Sequence, residues 1–214
     1  FKATLGHGLN MVLILIIPAA VGLFVLARPI AGLLFEHGKF TVQDTAETAR
    51  VLRFFLPGLS FAAVDTLLIF AFYARKDTLT PALVGVGSVA VYLAVAPALL
   101  GPLGLLSLMV ADSLKQVFHA LLTGALLSRR TGGLGTRLWG TLGKALLAAG
   151  LLGVVAELLR VAVERFGLAG TAGYALAVLV PGIGGAAVYF ITLYGLRVEE
   201  LRLLVRAVRG KVGL

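Results

Sequence analysis

Six long apolar runs constrain the fold of this chain more than any other feature of its sequence. A helix that crosses about 30 Å of hydrocarbon needs about 20 mostly apolar residues. The runs are continuous, whereas the strands of a membrane barrel alternate between apolar and polar residues. The sequence therefore predicts an all-α, polytopic membrane bundle of six transmembrane helices. The six predicted spans are residues 8–34, 54–73, 81–100, 103–127, 138–159 and 167–196.

The composition excludes several other classes of protein. Of the 214 residues, 59% are hydrophobic and only 14% are charged, against roughly 45–50% and about 25% in soluble domains. Disordered chains are poor in apolar residues, so disorder is excluded as well. The sequence contains no cysteine, which excludes a disulfide scaffold and a thiolate site. The net charge of +9 fits basic residues that flank membrane spans, and we expect no nucleic-acid partner.

The distribution of lysine and arginine predicts the orientation in the membrane. With six spans, both chain ends and the second and fourth connections lie on the same side. That side carries twelve basic residues and the opposite side carries six. The richer side is expected to be cytoplasmic, which places both termini inside the cell. The twelve are Lys2, Arg75, Lys76, Arg129, Arg130, Arg137, Lys144, Arg197, Arg202, Arg206, Arg209 and Lys211.

The chain divides into four predicted parts. Residues 1–128 hold four spans, and residues 129–137 form a basic, glycine-rich linker. Residues 138–196 hold two further spans, and residues 197–214 alternate bases with apolar residues at helical spacing, as in helices that lie along lipid headgroups. The first residue is Phe1, and the first apolar run follows without the features of a signal peptide. We therefore expect the chain to be a piece of a longer protein.

Signatures of enzymes and metal sites are missing from the sequence. The three histidines lack the spacing of metal ligands, and the HExxH, Walker and GxSxG motifs do not occur. Gly85 and Gly87 mimic a dinucleotide fingerprint, but they lie within an apolar span and indicate close packing of helices instead. We predict a protein that is not an enzyme and that holds no metal or cofactor.

Charged residues within the spans are the stronger functional signal. An Asp or Lys at the bilayer centre costs about 2.5–3.5 kcal/mol on insertion scales, so it needs a partner, a cavity or a function. Asp112 and Lys115 lie three residues apart and can pair. They are either polar elements of a transport cavity or a self-neutralised pair that faces neighbouring helices. Asp65 is a buried and protonated aspartate, an aspartate bonded to a neighbouring helix, or a cavity residue.

Two further features bear on mechanism. Pro18, Pro57, Pro97 and Pro181 fall inside or at the edge of spans, where proline removes a backbone hydrogen bond and can kink a helix. Arg75 and Lys76 follow an aromatic pair in the connection between the second and third spans. These bases either contact an anionic lipid headgroup or set topology and cap the helix.

Two motifs resemble those of a known family. The segment Phe35-Glu36-His37-Gly38-Lys39-Phe40 resembles the F-x-x-G-x-F loop of the MurJ/MviN family. These proteins are bacterial lipid II flippases of the multidrug/oligosaccharidyl-lipid/polysaccharide exporter superfamily. The segment that begins at Phe72 resembles the family's F-Y-[AS]-x-x-D-x-x-T-P turn. The matching residues are Phe35, Gly38, Phe40, Phe72, Tyr73, Asp77, Thr80 and Pro81.

The resemblance implies an architecture for the whole protein. The chain would be the last six helices of a fourteen-helix transporter, with its first four spans in the second lobe. The last two spans would form the family's hydrophobic groove for the lipid tail. The family's cavity arginines lie mainly on helices before this chain begins. Its sodium site uses Asn and Asp, which the third span lacks, so either the ion site differs or coupling to sodium is absent; a coupling ion or the membrane potential remains open.

The resemblance also implies a function in cell wall biogenesis and cell shape. The chain would help to move lipid II, or a related polyprenyl-linked sugar, across the bacterial inner membrane by alternating access. Its partners would be that substrate, membrane lipids and the N-terminal half of the transporter. The expected substrate-binding cations are Arg53, Arg75 and Lys76, with Asp112 and Lys115 as interior polar groups. The alternatives are another exporter of lipid-linked oligosaccharide or small cations within the superfamily, and a membrane scaffold.

Overall fold

Six long helices account for most of the chain in the computed structural model. The structure describes residues 1–134, 137–168 and 170–201. All regular secondary structure in these ranges is helical, which confirms the predicted all-α fold. Helical structure resumes at residue 199, just before the last described residue. The helices are α1 Lys2–Phe35, α2 Val42–Ala74, α3 Leu79–Leu103, α4 Leu106–Thr131, α5 Arg137–Glu164 and α6 Gly170–Gly195.

Helix α1 joins two groups of helices. On one side α2 packs against both α1 and α4, and α3 packs against α4. On the other side α5 and α6 pack against each other and against α1. Buried side chains of α1 accordingly contribute to two apolar clusters. Leu5 and Leu9 contact Leu68 and Phe72 of α2, and Ile14 contacts Ala149 of α5 and Leu193 of α6.

Five of the described helices are long and apolar enough to cross a membrane, and α4 is the exception. Helix α4 has 26 residues, about 39 Å at 1.5 Å per residue, so its length is sufficient. Its composition falls short because Asp112, Lys115 and His119 lie along it. The predicted count of six spans therefore depends on whether other side chains compensate these polar groups of α4.

Two connections are shorter than the sequence suggested, because helices extend into them. Helix α2 begins at Val42, twelve residues before the predicted span. Thr41 and Asp44 form a reciprocal capping box at this end of the helix, which satisfies free backbone N–H groups. Helix α4 continues to Thr131, where Gly132 adopts a left-handed conformation and ends it. The segment between α4 and α5 includes residues 135 and 136, which lie outside the described ranges.

Both family motifs form turns whose geometry explains their residues. Gly38 has φ of +64° in the turn after α1, a conformation that favours glycine. The rings of Phe35 and Phe40 flank this turn with centroids 5.9 Å apart. At the end of α2, the N–H groups of Lys76 and Asp77 donate to the carbonyls of Tyr73 and Phe72, which is a Schellman ending.

A proline in α1 frees a backbone carbonyl that a tyrosine from α6 then satisfies. Pro18 has no N–H, so the carbonyl of Ile14 loses the bond it would accept within the helix. The Tyr189 hydroxyl donates to this Ile14 carbonyl at 2.7 Å, and its ring is buried. Backbone groups in a bilayer need such partners because no water is present to replace them. The break in α1 therefore fixes where α6 packs.

A serine from α4 is inserted into the backbone hydrogen bonds of α2 beside Pro57. The Ser113 hydroxyl accepts from the Gly58 N–H at 3.2 Å and donates to the Phe54 carbonyl at 2.8 Å. A Cβ on Gly58 would lie 2.6 Å from the Ser113 Cα, so glycine is required for this close approach. An inserted side chain of this kind is a recognised cause of helix kinks. Helices α2 and α4 are thus joined directly at the kink.

The first residues after α6 fold back onto the bundle. Val198 and Leu201 are buried in the cluster formed by α1, α5 and α6. Glu200 is also buried, and its carboxylate accepts a hydrogen bond of 2.6 Å from the Asn10 side chain of α1. The remainder of the predicted amphipathic tail, residues 202–214, lies outside the described residues.

Candidate functional site

A partly polar cavity lies among α2, α3 and α4. It has a volume of about 260 Å³. Phe55 of α2 and Val89 of α3 contribute apolar walls, and α4 contributes the charged groups. Phe55, which lines the cavity, lies two residues before Pro57 of α2. Its lining residues are Phe55, Val89, Tyr92, Leu108, Met109, Asp112 and Lys115.

Asp112 and Lys115 pair with each other at this cavity. The Lys115 ammonium lies 2.5 Å from Asp112 Oδ1, as the spacing of three residues predicts. The side chains remain 26% and 24% exposed respectively, so the pair is accessible from the cavity. The Lys115 ammonium also lies 5.9 Å from the centre of the Tyr92 ring, within the range of a cation–π contact. The pair is therefore both self-neutralised and exposed to the cavity.

Asp65 has a partner that its own sequence neighbourhood does not contain. Its Oδ2 lies 2.7 Å from Nδ1 of His119 on α4, and both side chains are almost completely buried. The Thr123 hydroxyl lies 3.3 Å from the same ring nitrogen. This geometry selects the interpretation in which Asp65 is bonded to a neighbouring helix. It also provides a partner for His119, one of the polar groups that make α4 unusual among these helices.

The three cations expected to bind substrate do not come together. Arg53 lies near the start of the predicted second span, whereas Arg75 and Lys76 follow the last residue of α2. Arg53 and Arg75 are 22 residues apart, about 33 Å along the helix axis. The Arg53 Nε donates to the Phe24 carbonyl of α1 at 3.0 Å. Arg75 lies over the ring of Phe1 at 5.7 Å, and Lys76 is exposed with φ of +60°.

Arg130 joins the turn between α2 and α3 to the end of α4. Its guanidinium donates to the Asp77 carboxylate and to the Thr80 hydroxyl, and it lies 5.5 Å from the centre of the Phe72 ring. Asp77 also accepts hydrogen bonds from the hydroxyl and backbone N–H of Thr80. These bonds from Thr80, together with Arg130, lower the pKa of Asp77 from 3.8 to about 2. Motif residues Phe72, Asp77 and Thr80 therefore form one connection between three helices.

An apolar groove lies on the opposite side of α1, between α1, α5 and α6. Its volume is about 250 Å³, and its lining side chains are uncharged and apolar apart from the Tyr189 hydroxyl. Pro18 and Pro181 lie in its walls, together with glycines and other small residues that keep it open. The lining residues are Ile14, Leu15, Pro18, Ala19, Gly22, Leu26, Leu152, Ala156, Pro181, Gly182, Ala186, Tyr189 and Phe190.

The sequence interpretation missed His119, Ser113, Arg130 and Tyr189. Each acts on a residue that is distant in sequence, so spacing along one helix gives no signal. For His119 a signal was nevertheless present, because a buried aspartate requires a donor and histidine is one of the few side chains able to supply it. Pro18 gave a second signal, because the Ile14 carbonyl that it frees needs a hydroxyl or amide from elsewhere.

The fold, the charged cavity among α2, α3 and α4 and the apolar groove among α1, α5 and α6 define a polytopic helical membrane protein. A family model described as lipid II flippase MurJ matches residues 1–193. The chain belongs to this family.

Relatives and a solved structure agree with this assignment. The chain is 30% identical over 209 residues to a probable lipid II flippase MurJ of Rhizobium meliloti, covering 95% of this chain and 38% of that protein. It is 36% identical over 134 residues to a probable lipid II flippase MurJ of Bdellovibrio bacteriovorus, covering 63% and 26%. The fold is similar to a lipid II flippase MurJ in its inward closed conformation, with a TM-score of 0.75 and 20% identity.

The chain spans only part of the proteins it resembles. The solved structure is matched over 92% of this chain but 40% of its own length. The relatives of Rhizobium and Bdellovibrio are matched over 38% and 26% of theirs.

Proposed function

We propose that this chain is the C-terminal portion of a flippase that moves a lipid-linked peptidoglycan precursor across the bacterial inner membrane. The task requires no covalent chemistry. It needs a sheltered place for a charged headgroup, an apolar path for a polyprenyl tail, and alternation between two open states. The N-terminal helices of the same transporter would complete the enclosure. Both termini of this chain would lie in the cytoplasm, as the lysine and arginine count predicts.

The observation that carries the proposal is the separation of two unlike surfaces by α1. The charged pair Asp112–Lys115 faces a cavity among α2, α3 and α4, and the groove among α1, α5 and α6 is lined by uncharged, mainly apolar residues. An amphipathic substrate with a charged head and a long hydrocarbon tail fits two such surfaces. In this proposal α4 also crosses the membrane, which gives six spans in total, and the pairs Asp112–Lys115 and His119–Asp65 offset the cost of its polar residues.

The cations at the ends of α2 have separate roles in this proposal. Arg53 would meet the headgroup at the outer side, and Arg75 and Lys76 would meet it at the cytoplasmic side. Their separation of about 33 Å then corresponds to the two ends of the translocation path. Asp112 and Lys115, six and nine residues into α4, would contact the headgroup between these ends.

Complementation of a flippase-depleted strain tests the proposal. Full-length protein with Asp112→Ala or Lys115→Ala is expected to reduce growth rescue at least tenfold at normal protein levels. Each change removes a cavity charge and leaves its partner unpaired at the bilayer interior. Accumulated lipid-linked peptidoglycan precursor in the inner leaflet should accompany the loss of growth.

A matched ion pair on α5 provides the control. Glu157 and Arg160 also lie three residues apart and pair at 2.5 Å, and Arg160 pairs with Glu164 as well, but α5 packs against α1 and α6. The single variant Glu157→Ala, which leaves Arg160 paired with Glu164, is expected to support growth. Normal growth of both cavity variants would remove the pair from the mechanism. Loss of surface polysaccharide with retained viability would favour another lipid-linked substrate.

A further inference from the structure

The buried pair Asp65–His119 has no task in the substrate path described above. The cavity is lined by Asp112 and Lys115, and neither Asp65 nor His119 lines it. His119 lies 13 residues after the start of α4 and 12 before its end, about 18–20 Å from each. An aspartate and a histidine in contact at this depth are costly unless they share a proton.

The hydrogen bonds of Asp65 and His119 allow the two side chains to share a proton. Asp65 Oδ2 contacts His119 Nδ1, while Asp65 Oδ1 is buried and has no hydrogen-bond partner among the described residues. A Cβ placed on Gly85 of α3 would lie 3.7 Å from the other ring nitrogen, Nε2. The imidazole therefore lies at the junction of α2, α3 and α4.

The charge state of the pair depends on one proton. With that proton bound, a carboxylate and an imidazolium carry no net charge together; without it, the pair carries one negative charge. Because an uncompensated charge is expensive away from water, the closely packed interface favours the proton-bound pair. Contact with water after separation of the helices would remove that preference.

Pro57 supplies a point at which α2 can bend and so separate the pair. Pro57 and Gly58 lie seven to eight residues before Asp65, about 11 Å along the helix. Ser113 holds this kink through the Gly58 N–H and the Phe54 carbonyl. Bending at the kink changes the distance between the segment that bears Asp65 and α4. The hinge and the titratable pair thus belong to the same helix interface.

Other charged or titratable groups near this interface have partners or lie away from it. Asp112 and Lys115 pair with each other one to two turns from His119, and Glu200 is bonded to Asn10. Between Arg53 and Tyr73, Asp65 is the one titratable residue of α2. The remaining groups on the adjoining helices are Arg129 and Arg130 in the last turn of α4, Tyr92 on α3, which contacts Lys115, and the exposed Lys2, His7 and Arg28 on α1.

We infer that Asp65 and His119 form an intramembrane proton-binding site, which takes up a proton when α2 and α4 pack together and releases it when they separate. Proton binding would then favour the packed conformation by linkage. The inference rests on the alternation between two conformations in the proposed function, and it is independent of the substrate's identity.

Distance measurements on the full-length protein test this site directly. Nitroxide labels at Phe70→Cys and Leu121→Cys, positions that are 60% and 61% exposed, report the separation of α2 and α4 in a cysteine-free background in lipid nanodiscs. The ratio of packed to separated molecules is expected to fall about three- to tenfold per pH unit as the pH rises through the transition. About tenfold is the limit for one linked proton.

Conservative variants separate a proton site from a purely structural pair. Asp65→Asn and His119→Gln keep side-chain size and polarity, and each is expected to abolish the pH dependence. Glu157→Gln removes a carboxylate on α5 and should leave the pH dependence unchanged. A ratio that is independent of pH in the wild type, or a pH dependence that survives in both variants, overturns the proton site alone. A single distance at every pH contradicts the site and the alternation together.

Discussion

Hydroxyl groups from neighbouring helices form hydrogen bonds with backbone groups of this protein close to two prolines. Tyr189 donates to the Ile14 carbonyl that Pro18 leaves free, and Ser113 bridges Gly58 and Phe54 beside Pro57. In hydrocarbon the Ile14 carbonyl would otherwise lack any partner, whereas Ser113 takes the place of the direct bond between the Gly58 N–H and the Phe54 carbonyl within α2. These single residues therefore decide how α6 docks on α1 and how α4 docks on α2.

Removal of the Tyr189 hydroxyl tests how much its hydrogen bond to the Ile14 carbonyl contributes to stability. Tyr189→Phe leaves the Ile14 carbonyl unpaired, which is expected to lower the free energy of unfolding by about 1–3 kcal/mol. Thermal unfolding in detergent micelles checks the value. Tyr194→Phe is the matched control, because Tyr194 is 75% exposed and should change stability little.

A double variant identifies the physical cause of that loss. Pro18→Ala restores a backbone N–H four residues after Ile14, so the hydroxyl is no longer needed there. Tyr189→Phe should then cost clearly less in the Pro18→Ala background. An equal cost in both backgrounds would show that packing of the ring, and not the carbonyl, determines the effect.

At the scale of helices, the turn between α2 and α3 is joined to the end of α4 through one charged contact. Asp77 receives hydrogen bonds from Thr80 and from Arg130, while Arg130 also lies over Phe72. The turn thereby caps α3 and fixes the spacing of α2 and α4 at this end. The resemblance to the family motif at Asp77 and Thr80 thus has a structural explanation.

The depressed pKa of Asp77 predicts how the stability of this connection varies with pH. Since the pKa is about 2 in the folded protein and 3.8 ordinarily, the carboxylate contributes stability that is complete above about pH 4. The contribution is lost as the pH falls from about 4 through about 2. Asp77→Asn should lower the melting temperature at pH 7, and the difference from wild type should shrink across that acidic window.

An Arg130→Gln background provides the control for this pH dependence. The melting-temperature difference due to Asp77→Asn should be smaller there, because one of the groups that favour the carboxylate is absent. A difference that stays constant down to pH 2 would contradict the assigned role of the carboxylate.

At the scale of the whole molecule, the sequence predicted interactions within one helix but not interactions between residues that are distant in the chain. The apolar runs and the Asp112–Lys115 pair follow from periodicity within one helix, and the structure contains both. The partners of Asp65 and Asp77, by contrast, are 54 and 53 residues away in sequence. Their contacts depend on the register between packed helices, which spacing along the chain does not specify. The Thr41–Asp44 capping box was a local signal for the early start of α2 that the prediction of spans did not use.

The structure as a whole places unlike surfaces on the two sides of α1. The charged cavity and the apolar groove use different helices. Pro18 lines the groove, and Pro57 lies two residues after Phe55, which lines the cavity. This arrangement is the physical basis for proposing a flippase and for expecting two conformations.

The central claim is that a lipid-linked peptidoglycan precursor enters the cavity among α2, α3 and α4. Its most direct test is photocrosslinking in membranes with the full-length protein. A photoreactive residue at Met109, which lines the cavity, should form an adduct with the precursor, whereas one at Leu83, which is 61% exposed on α3, should capture bulk phospholipid. Equal precursor yields at both positions, or phospholipid alone at Met109, would contradict the claim.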